Sequence, residues 1–266
     1  MEANNAVLLL TATVSVGTTP NVERADPVAR LNDYIRSLDK WLEQRQFKKI
    51  VLVENSGFDP LVIKDSISKI PEEVELEIIT YNGGTYELGR GKGFGEKEII
   101  KFAVTNSNLL ANASGFVKVN GRYFVSELGG LIDKLPSSIE VFSDLRPCFK
   151  FSDSRVILCS KNFYLKFFMA FLEQVDERKG VYFEHALANA ILKGIRGGCA
   201  FRLMPPLTIE GVSGSLGHTY QRGLGRRVSD YWKFICRRAM YWIFLRRYIL
   251  LRIDRIFSRF DDNISR

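Results

Sequence analysis

The 266 residues, 46% of them hydrophobic and 26% charged, suffice for one large buried core or for one domain with an appendage, which excludes a disordered chain and a small disulfide-stapled scaffold. The net charge of +8 is unevenly placed: of 38 basic and 30 acidic residues, Arg222 to Arg266 hold 12 and 4, leaving a neutral body with 26 of each sign. Cys148, Cys159, Cys199 and Cys236 are scattered, without a CxxC pair or metal-ligand spacing, and are expected as buried thiols of a reducing compartment. The opening MEANNAVLLLTATVSV lacks a basic region and has only a short apolar run, so a first buried strand is expected there rather than a secretory leader.

Val7 to Val16, rich in β-branched residues and threonine, is that strand. The loop GTTPNVERADP follows and is long enough to carry function. From Pro27 to Glu43 the residues Leu31, Ile35, Leu38 and Leu42, with Tyr34 and Trp41, keep helical spacing. Lys49 to Val53 is a continuous apolar run of the kind covered on both faces of a sheet, and it ends in the polar turn Glu54-Asn55-Ser56-Gly57. A helix over Leu61 to Ile70, stopped by Pro71, and a strand over Val74 to Thr80 come next. The glycine-rich turn GRGKGFG then leads into a helix over Glu96 to Leu110 and a strand over Phe116 to Val119. This alternation predicts an α/β fold with a mostly parallel sheet and right-handed crossovers.

Further along, Ile139 to Phe142 and Val156 to Cys159 read as strands joined by SDLRPCFKFSDSR. Asn162 to Val175 reads as an aromatic-rich helix, and Val181 to His185 as the opening of a helix that runs to Lys193. Met204 to Tyr220 has the glycines and hydroxyls of a mobile lid, with Ser213 and His218 in it. Residues 1–220 are expected as one domain and 221–266 as a separate helical tail. In that tail Trp232, Ile235, Ala239, Trp242, Ile249, Ile253, Phe257 and Phe260 fall on one helical face, and Arg226, Lys233, Arg237, Arg247, Arg252, Arg255 and Arg259 on the other. Arg246 and Arg247 interrupt the apolar run, so the helix suits an anionic membrane interface better than a span; the alternative is a helix that packs on the body or makes a homo-oligomer. The wide Trp, Ile and Phe face favours lipid over nucleic acid, and no nucleic-acid partner is expected.

Chemistry in open α/β sheets sits beyond the carboxyl ends of strands, which directs attention to Lys118-Val119-Asn120-Gly121-Arg122. Lys118 and Arg122, with Lys92 from the glycine-rich turn, can converge on one anionic group. The run Gly91-Lys92-Gly93-Phe94-Gly95 fits neither a dinucleotide fingerprint nor a P-loop. As a turn at a helix N-terminus, Gly93 included, it can still present N–H groups to a phosphate, or it is an ordinary loop. Glu184 and His185 are the acid/base candidates, because a carboxylate or imidazole can take the proton of an attacking hydroxyl. Thr11 and Thr13 can meet a nucleotide base or serve strand propensity alone. Asp144 and Arg146, with Asp153 and Arg155, are candidate sugar or phosphate contacts.

The order of these elements, VENSG after the second strand, and GKGFGEKEIIKFA followed by FVKVNGRYF resemble the GT-A (Rossmann-like) fold of nucleotide-sugar glycosyltransferases, especially bacterial enzymes of O-antigen, capsule and other surface polysaccharides. The resemblance covers roughly Val7 to Tyr220 and rests on pattern rather than strict motif matching. It implies a nucleotide-sugar donor bound by Glu54, Asn55 and Ser56 and by the residues around Lys118 and Asn120. Glu184 would be the catalytic base, and the acceptor would be lipid-linked or a glycan at the inner face of the plasma membrane, where the tail holds the enzyme peripherally. Family members carry a metal-binding DxD motif where this chain has Lys118-Val119-Asn120. No cofactor is therefore expected. Lys118 and Arg122 would take the place of a divalent Mn²⁺ or Mg²⁺ on the diphosphate, unless Asp144 or Asp153 supplies a ligand from elsewhere. The structural alternative is that Lys118 and Arg122 pair with Glu127 or Asp144. A nucleotidyltransferase of the same sheet type and a non-catalytic membrane or nucleic-acid binding protein are the rival readings.

Overall fold

The computed structural model describes residues 6–17, 23–83, 88–212, 228–241 and 243. The chain divides into two compact units, Met1–Gln221 and Arg222–Arg266. In the first, strands β1 (Val7–Ala12), β2 (Lys49–Glu54), β3 (Glu75–Thr80), β4 (Gly115–Asn120), β6 (Val141–Ser143), β7 (Val156–Ser160) and β8 (Phe201–Leu203) form one sheet in the order β3-β2-β1-β4-β7-β6-β8. A two-stranded ribbon pairs β5 (Tyr123–Val125) with β9 (Ile209–Gly211). The expected α/β architecture is present, with parallel pairing through β3, β2, β1 and β4. β7 alone runs against its neighbours β4 and β6, so the connection from β6 to β7 returns to the carboxyl end of β4.

The largely apolar strands β1, β2 and β4 are covered on both faces. On one face Leu8, Leu10, Ile50, Leu52, Val117 and Val119 pack with Tyr34, Leu38, Trp41 and Leu42 from α1 (Pro27–Gln44) and with Phe47. Trp41 donates from Nε1 to the Tyr123 carbonyl at 3.0 Å, satisfying its polar atom inside the core. α1 begins where the sequence places it: Asp26 caps the Ala29 N–H at 2.9 Å, Pro27 occupies the first turn, and Arg45 closes the helix in a left-handed conformation. Along its buried stripe the last two turns are apolar, whereas Arg30, Asp33 and Ser37 before them are polar and buried.

The other face receives α3 (Lys92–Asn106) and α8 (Phe183–Arg196). α2 (Pro60–Asp65) is shorter than expected, ending at Ser66 where the backbone N–H and hydroxyl both turn to the Val62 carbonyl. The helix foreseen over Glu96 to Leu110 breaks at Ser107, whose N–H still closes α3 while its hydroxyl caps α4 (Asn108–Ala111). α5 (Leu128–Asp133) was not foreseen. The aromatic helix consists of α6 (Lys161–Phe163), a π-helical stretch Tyr164–Phe168 and α7 (Met169–Leu172). The expected lid contains β9, and Ser213 and His218 lie outside the described residues. In the second unit the backbone is helical over residues 228–241 and exposes Val228, Tyr231, Trp232 and Ile235. Trp242 and the tail residues from 244 onward, on which the rest of the amphipathic face was expected, lie outside the description. Among the described residues no helix is long and apolar enough to cross a membrane.

Candidate functional site at the carboxyl ends of β1 and β4

β1 and β4 end side by side, with the Gly121 N–H donating to the Thr11 carbonyl at 2.9 Å. A Cβ at Gly121 would stand 2.8 Å from that oxygen, so only glycine lets the two chains close to this distance. The turn that follows holds Arg122 against α1, where its guanidinium faces one side of the Tyr34 ring at 5.8 Å. The Arg30 guanidinium also approaches this ring, at 5.8 Å.

The two arginines are in different states. Arg30 donates to the carbonyls of Thr13 (2.7 Å) and Arg24 (3.0 Å) and to the Tyr34 hydroxyl (3.0 Å), so its nitrogens are satisfied by neutral acceptors. Arg122 is 7% exposed, and its Nε and Nη1 have no hydrogen-bond partner among the described residues. A buried guanidinium left this way is costly unless something anionic meets it. Burial pushes the Arg30 guanidinium below its ordinary value, opposed by Tyr34 and aided by the charge of Arg122. Lys92 is likewise lowered by burial, with Glu177 opposing and Arg122 and Arg30 adding to the shift. Positive charge is thus concentrated around Arg122. Arg30 was not singled out from the sequence. Its signal was there: it stands four residues before Tyr34 in the helical stripe that continues through Leu38 and Leu42, a basic residue in core register.

Lys118 occupies the β4 face toward α3 and α8. It is 2% exposed, its ammonium meets Glu96 Oε1 at 2.5 Å and the Ser154 carbonyl at 2.8 Å, and it lies over the Phe183 ring. Glu96 also accepts from the Thr11 hydroxyl at 2.9 Å. With this charge neutralised inside the protein, the geometry speaks against the expected place of Lys118 on a phosphate. Its partner is Glu96, neither of the two acids weighed from the sequence. Arg122 has no such ion pair among the described residues, so the two cations that were expected to act together are separated.

Several donor-side assignments change for the same reason. Glu54 is 0% exposed and accepts from the N–H groups of Val14, Ser56 and Phe58, each at 2.9 Å, and from the Ser56 hydroxyl. It is a carboxylate that pins two loops. Thr13 donates to Asn55 at 2.6 Å, and Thr11 is committed to Glu96, so both hydroxyl protons are engaged. The Gly93 N–H donates to Glu177 Oε1 at 2.7 Å. Gly91, at φ 95°, leaves the space that the Glu177 carboxylate fills, so this helix N-terminus is occupied by a protein anion where a phosphate was expected. Asn120 accepts the Arg122 N–H at 3.3 Å and shapes the turn.

On the opposite rim Glu184 stands in the first turn of α8 and accepts from Ser154 Oγ at 2.6 Å. Glu184 and the β4 strand end are thereby linked through Ser154. His185 is packed edge-on to Phe151 and Tyr182, which favours a packing role over acid/base work. Asp153 is held by Arg155 and lies 3.5 Å from Arg146, which is also 3.5 Å from Asp144. Burial raises the Asp153 carboxyl, but the hydrogen bond and charge of Arg155, with Arg146, leave it below its ordinary value. Among the described residues no group of three or more His, Cys, Asp or Glu side chains is placed to hold a metal ion.

The architecture places the chain among α/β proteins with a mixed, mostly parallel seven-stranded sheet. In sequence it matches no family model and none of the curated proteins. In structure it is similar to glycosyltransferases and to sugar nucleotidyltransferases. The galactosyltransferase LgtC, solved with donor and acceptor sugar analogues, is 12% identical over 73% of this chain and 72% of its own, with a TM-score of 0.44. The mannosyltransferase Ktr4p from S. cerevisiae is 11% identical over 70% of this chain and 66% of its own, at 0.42. A Bacillus anthracis protein assigned as a glucose-1-phosphate thymidylyltransferase is 9% identical over 77% and 89%, at 0.47. At these identities and scores the likenesses carry no residue role and no activity to this chain.

Proposed function

We propose that this protein is a glycosyltransferase that moves a sugar from a nucleotide-sugar donor to a lipid-linked or glycan acceptor in cell-surface polysaccharide assembly, without a bound metal. The observation that carries the reading is Arg122: a buried guanidinium with two unpartnered nitrogens, beside Lys92 and Arg30, at the end of the strand that Ser154 links to Glu184. The acceptor hydroxyl attacks the anomeric carbon and forms the new C–O bond. The bond to the donor's phosphate oxygen breaks with its electron pair, and Glu184 takes the hydroxyl proton, as an inverting transfer requires. Negative charge grows on the departing nucleoside diphosphate, where Arg122 and Lys92 stabilise it. The sequence resemblance and the position of Glu184 in the first turn of α8 support the same assignment.

The test is a thermal-shift and hydrolysis screen with UDP-glucose, UDP-galactose, UDP-N-acetylglucosamine, GDP-mannose and dTDP-rhamnose, with and without EDTA. One of these donors is expected to raise the melting temperature and to turn over in EDTA, and Arg122→Met to lose that shift. Strict dependence on Mn²⁺ or Mg²⁺ would sink the metal-free mechanism. Release of pyrophosphate from a nucleoside triphosphate and a sugar phosphate would replace transfer by nucleotidyl chemistry. The exposed Val228, Tyr231, Trp232 and Ile235 support membrane-surface attachment of the tail. Full-length protein should sediment with anionic vesicles and the chain truncated at residue 221 should not.

A further inference from the structure

Ser154 has two arms, and they reach different parts of the site. Its carbonyl accepts from Lys118 Nζ at 2.8 Å, and its hydroxyl donates to Glu184 Oε1 at 2.6 Å. Behind Lys118 stand Glu96 at 2.5 Å and, through Glu96, the Thr11 hydroxyl at 2.9 Å. The backbone around Ser154 is fixed on both sides: the Ser152 N–H donates to the Glu184 carbonyl at 3.2 Å, and the Asn120 N–H to the Arg155 carbonyl at 3.2 Å. A hydroxyl held this way has one direction in which to point its proton.

Resting on the reading of Glu184 as the base, we propose that Ser154 is its positioning residue, and that Lys118 acts through Ser154 to hold the carboxylate in register with the end of β4. An O–H donor to a carboxylate is a short, charge-assisted bond that fixes the rotation of the group. With Oε1 engaged, Oε2, which has no hydrogen-bond partner among the described residues, is the oxygen that receives the proton. Without the hydroxyl the carboxylate turns about its last bond, and a misdirected base costs rate more than it costs binding. This explains why a buried lysine lies in a strand whose other residues on that face are apolar or at its end. Its ammonium does not meet ligand; it fixes the peptide that carries the serine.

Ser154→Ala removes the hydroxyl and keeps the carbonyl that Lys118 needs, so the fold is expected to survive and the melting temperature to stay near that of the parent. The assay is hydrolysis of the UDP-, GDP- or dTDP-sugar identified in the screen. Ser154→Ala should lower kcat about 10- to 100-fold with donor KM within about twofold, and Ser154→Thr should recover most of the loss. In a Glu184→Gln background Ser154→Ala should add little further loss, because a residue acting through Glu184 has nothing left to act on. Retention of kcat within about twofold in Ser154→Ala, or full additivity with Glu184→Gln, overturns the proposal while leaving Glu184 in place. Parent-like turnover in Glu184→Gln alone removes the base assignment and this inference with it.

Discussion

The Lys118 ammonium meets the Glu96 carboxylate at 2.5 Å beneath the surface, joining the middle of β4 to the first turns of α3. Neither residue is near the other in sequence, and each charge is balanced by the other. Breaking such a pair leaves one charge without its partner in a poorly hydrated place. Lys118→Met is expected to lower stability by about 3 kcal/mol, measured by urea unfolding, while the double variant Lys118→Met/Glu96→Leu recovers most of it. If Lys118→Met unfolds like the parent and instead loses donor-induced stabilisation, Lys118 belongs on the phosphate after all.

Glu54 gives a second prediction. Its carboxylate serves three N–H groups and one hydroxyl, so Glu54→Gln turns an amide donor toward donors already in place. A loss of about 2 kcal/mol is expected, or roughly 4–8 °C in Tm for a chain of this size. A melting curve that overlays the parent's would show that these contacts contribute nothing.

At Gly91 the left-handed backbone and the Glu177 carboxylate compete for the space a side chain needs. Gly91→Ala should cost about 2 kcal/mol. Adding Glu177→Ala should relieve part of that, so the two losses combine to less than their sum. Strict additivity in chemical denaturation would contradict the crowding described.

Acid stability draws on carboxylates depressed in the folded state, Glu173 and Asp153 among them. Hydrogen bonding to Lys97 lowers Glu173, against burial and with help from Lys101. Asp153 is raised by burial but lowered overall by Arg155. Groups whose folded-state values lie below their unfolded ones stabilise the protein above the ordinary carboxylate range, about pH 4, and that contribution is lost as pH falls through the folded values. The urea midpoint should therefore be flat from neutral pH to about 5 and fall below about 4. Arg155→Gln should make that acid limb shallower; an unchanged limb would detach Asp153 from it.

The sequence made the body of the fold legible where local pattern and burial agree. The apolar runs of β1, β2 and β4, and the Asp26-Pro27 start of α1, are each a local signal strong enough to stand alone. The strands β5, β8 and β9 have three residues each, too few for a period to register, and they form because the sheet and ribbon offer partners. The site was half legible for a related reason. Arg122, Lys118 and Glu184 could be picked by residue type and place, but the neutralisation of Lys118 by Glu96 depends on α3 packing against the sheet, which no local pattern reports. Ser154 was passed over because a serine directly after the Ser152-Asp153 pair looks like turn chemistry until Glu184 is beside it.

The single reversed strand β7 has an effect on how this protein can vary. Because β6 ends and β7 begins at the same edge, the intervening stretch from Asp144 to Arg155 forms a rim anchored at both feet by the sheet, apart from the α1 and α3 termini that surround Arg122. Insertions or deletions near its apex at Cys148 could remodel what is admitted at the Glu184 side while the arginine side kept its shape. One half of the site is set by the sheet and the helix termini, and the other half by a loop whose length can change without disturbing them.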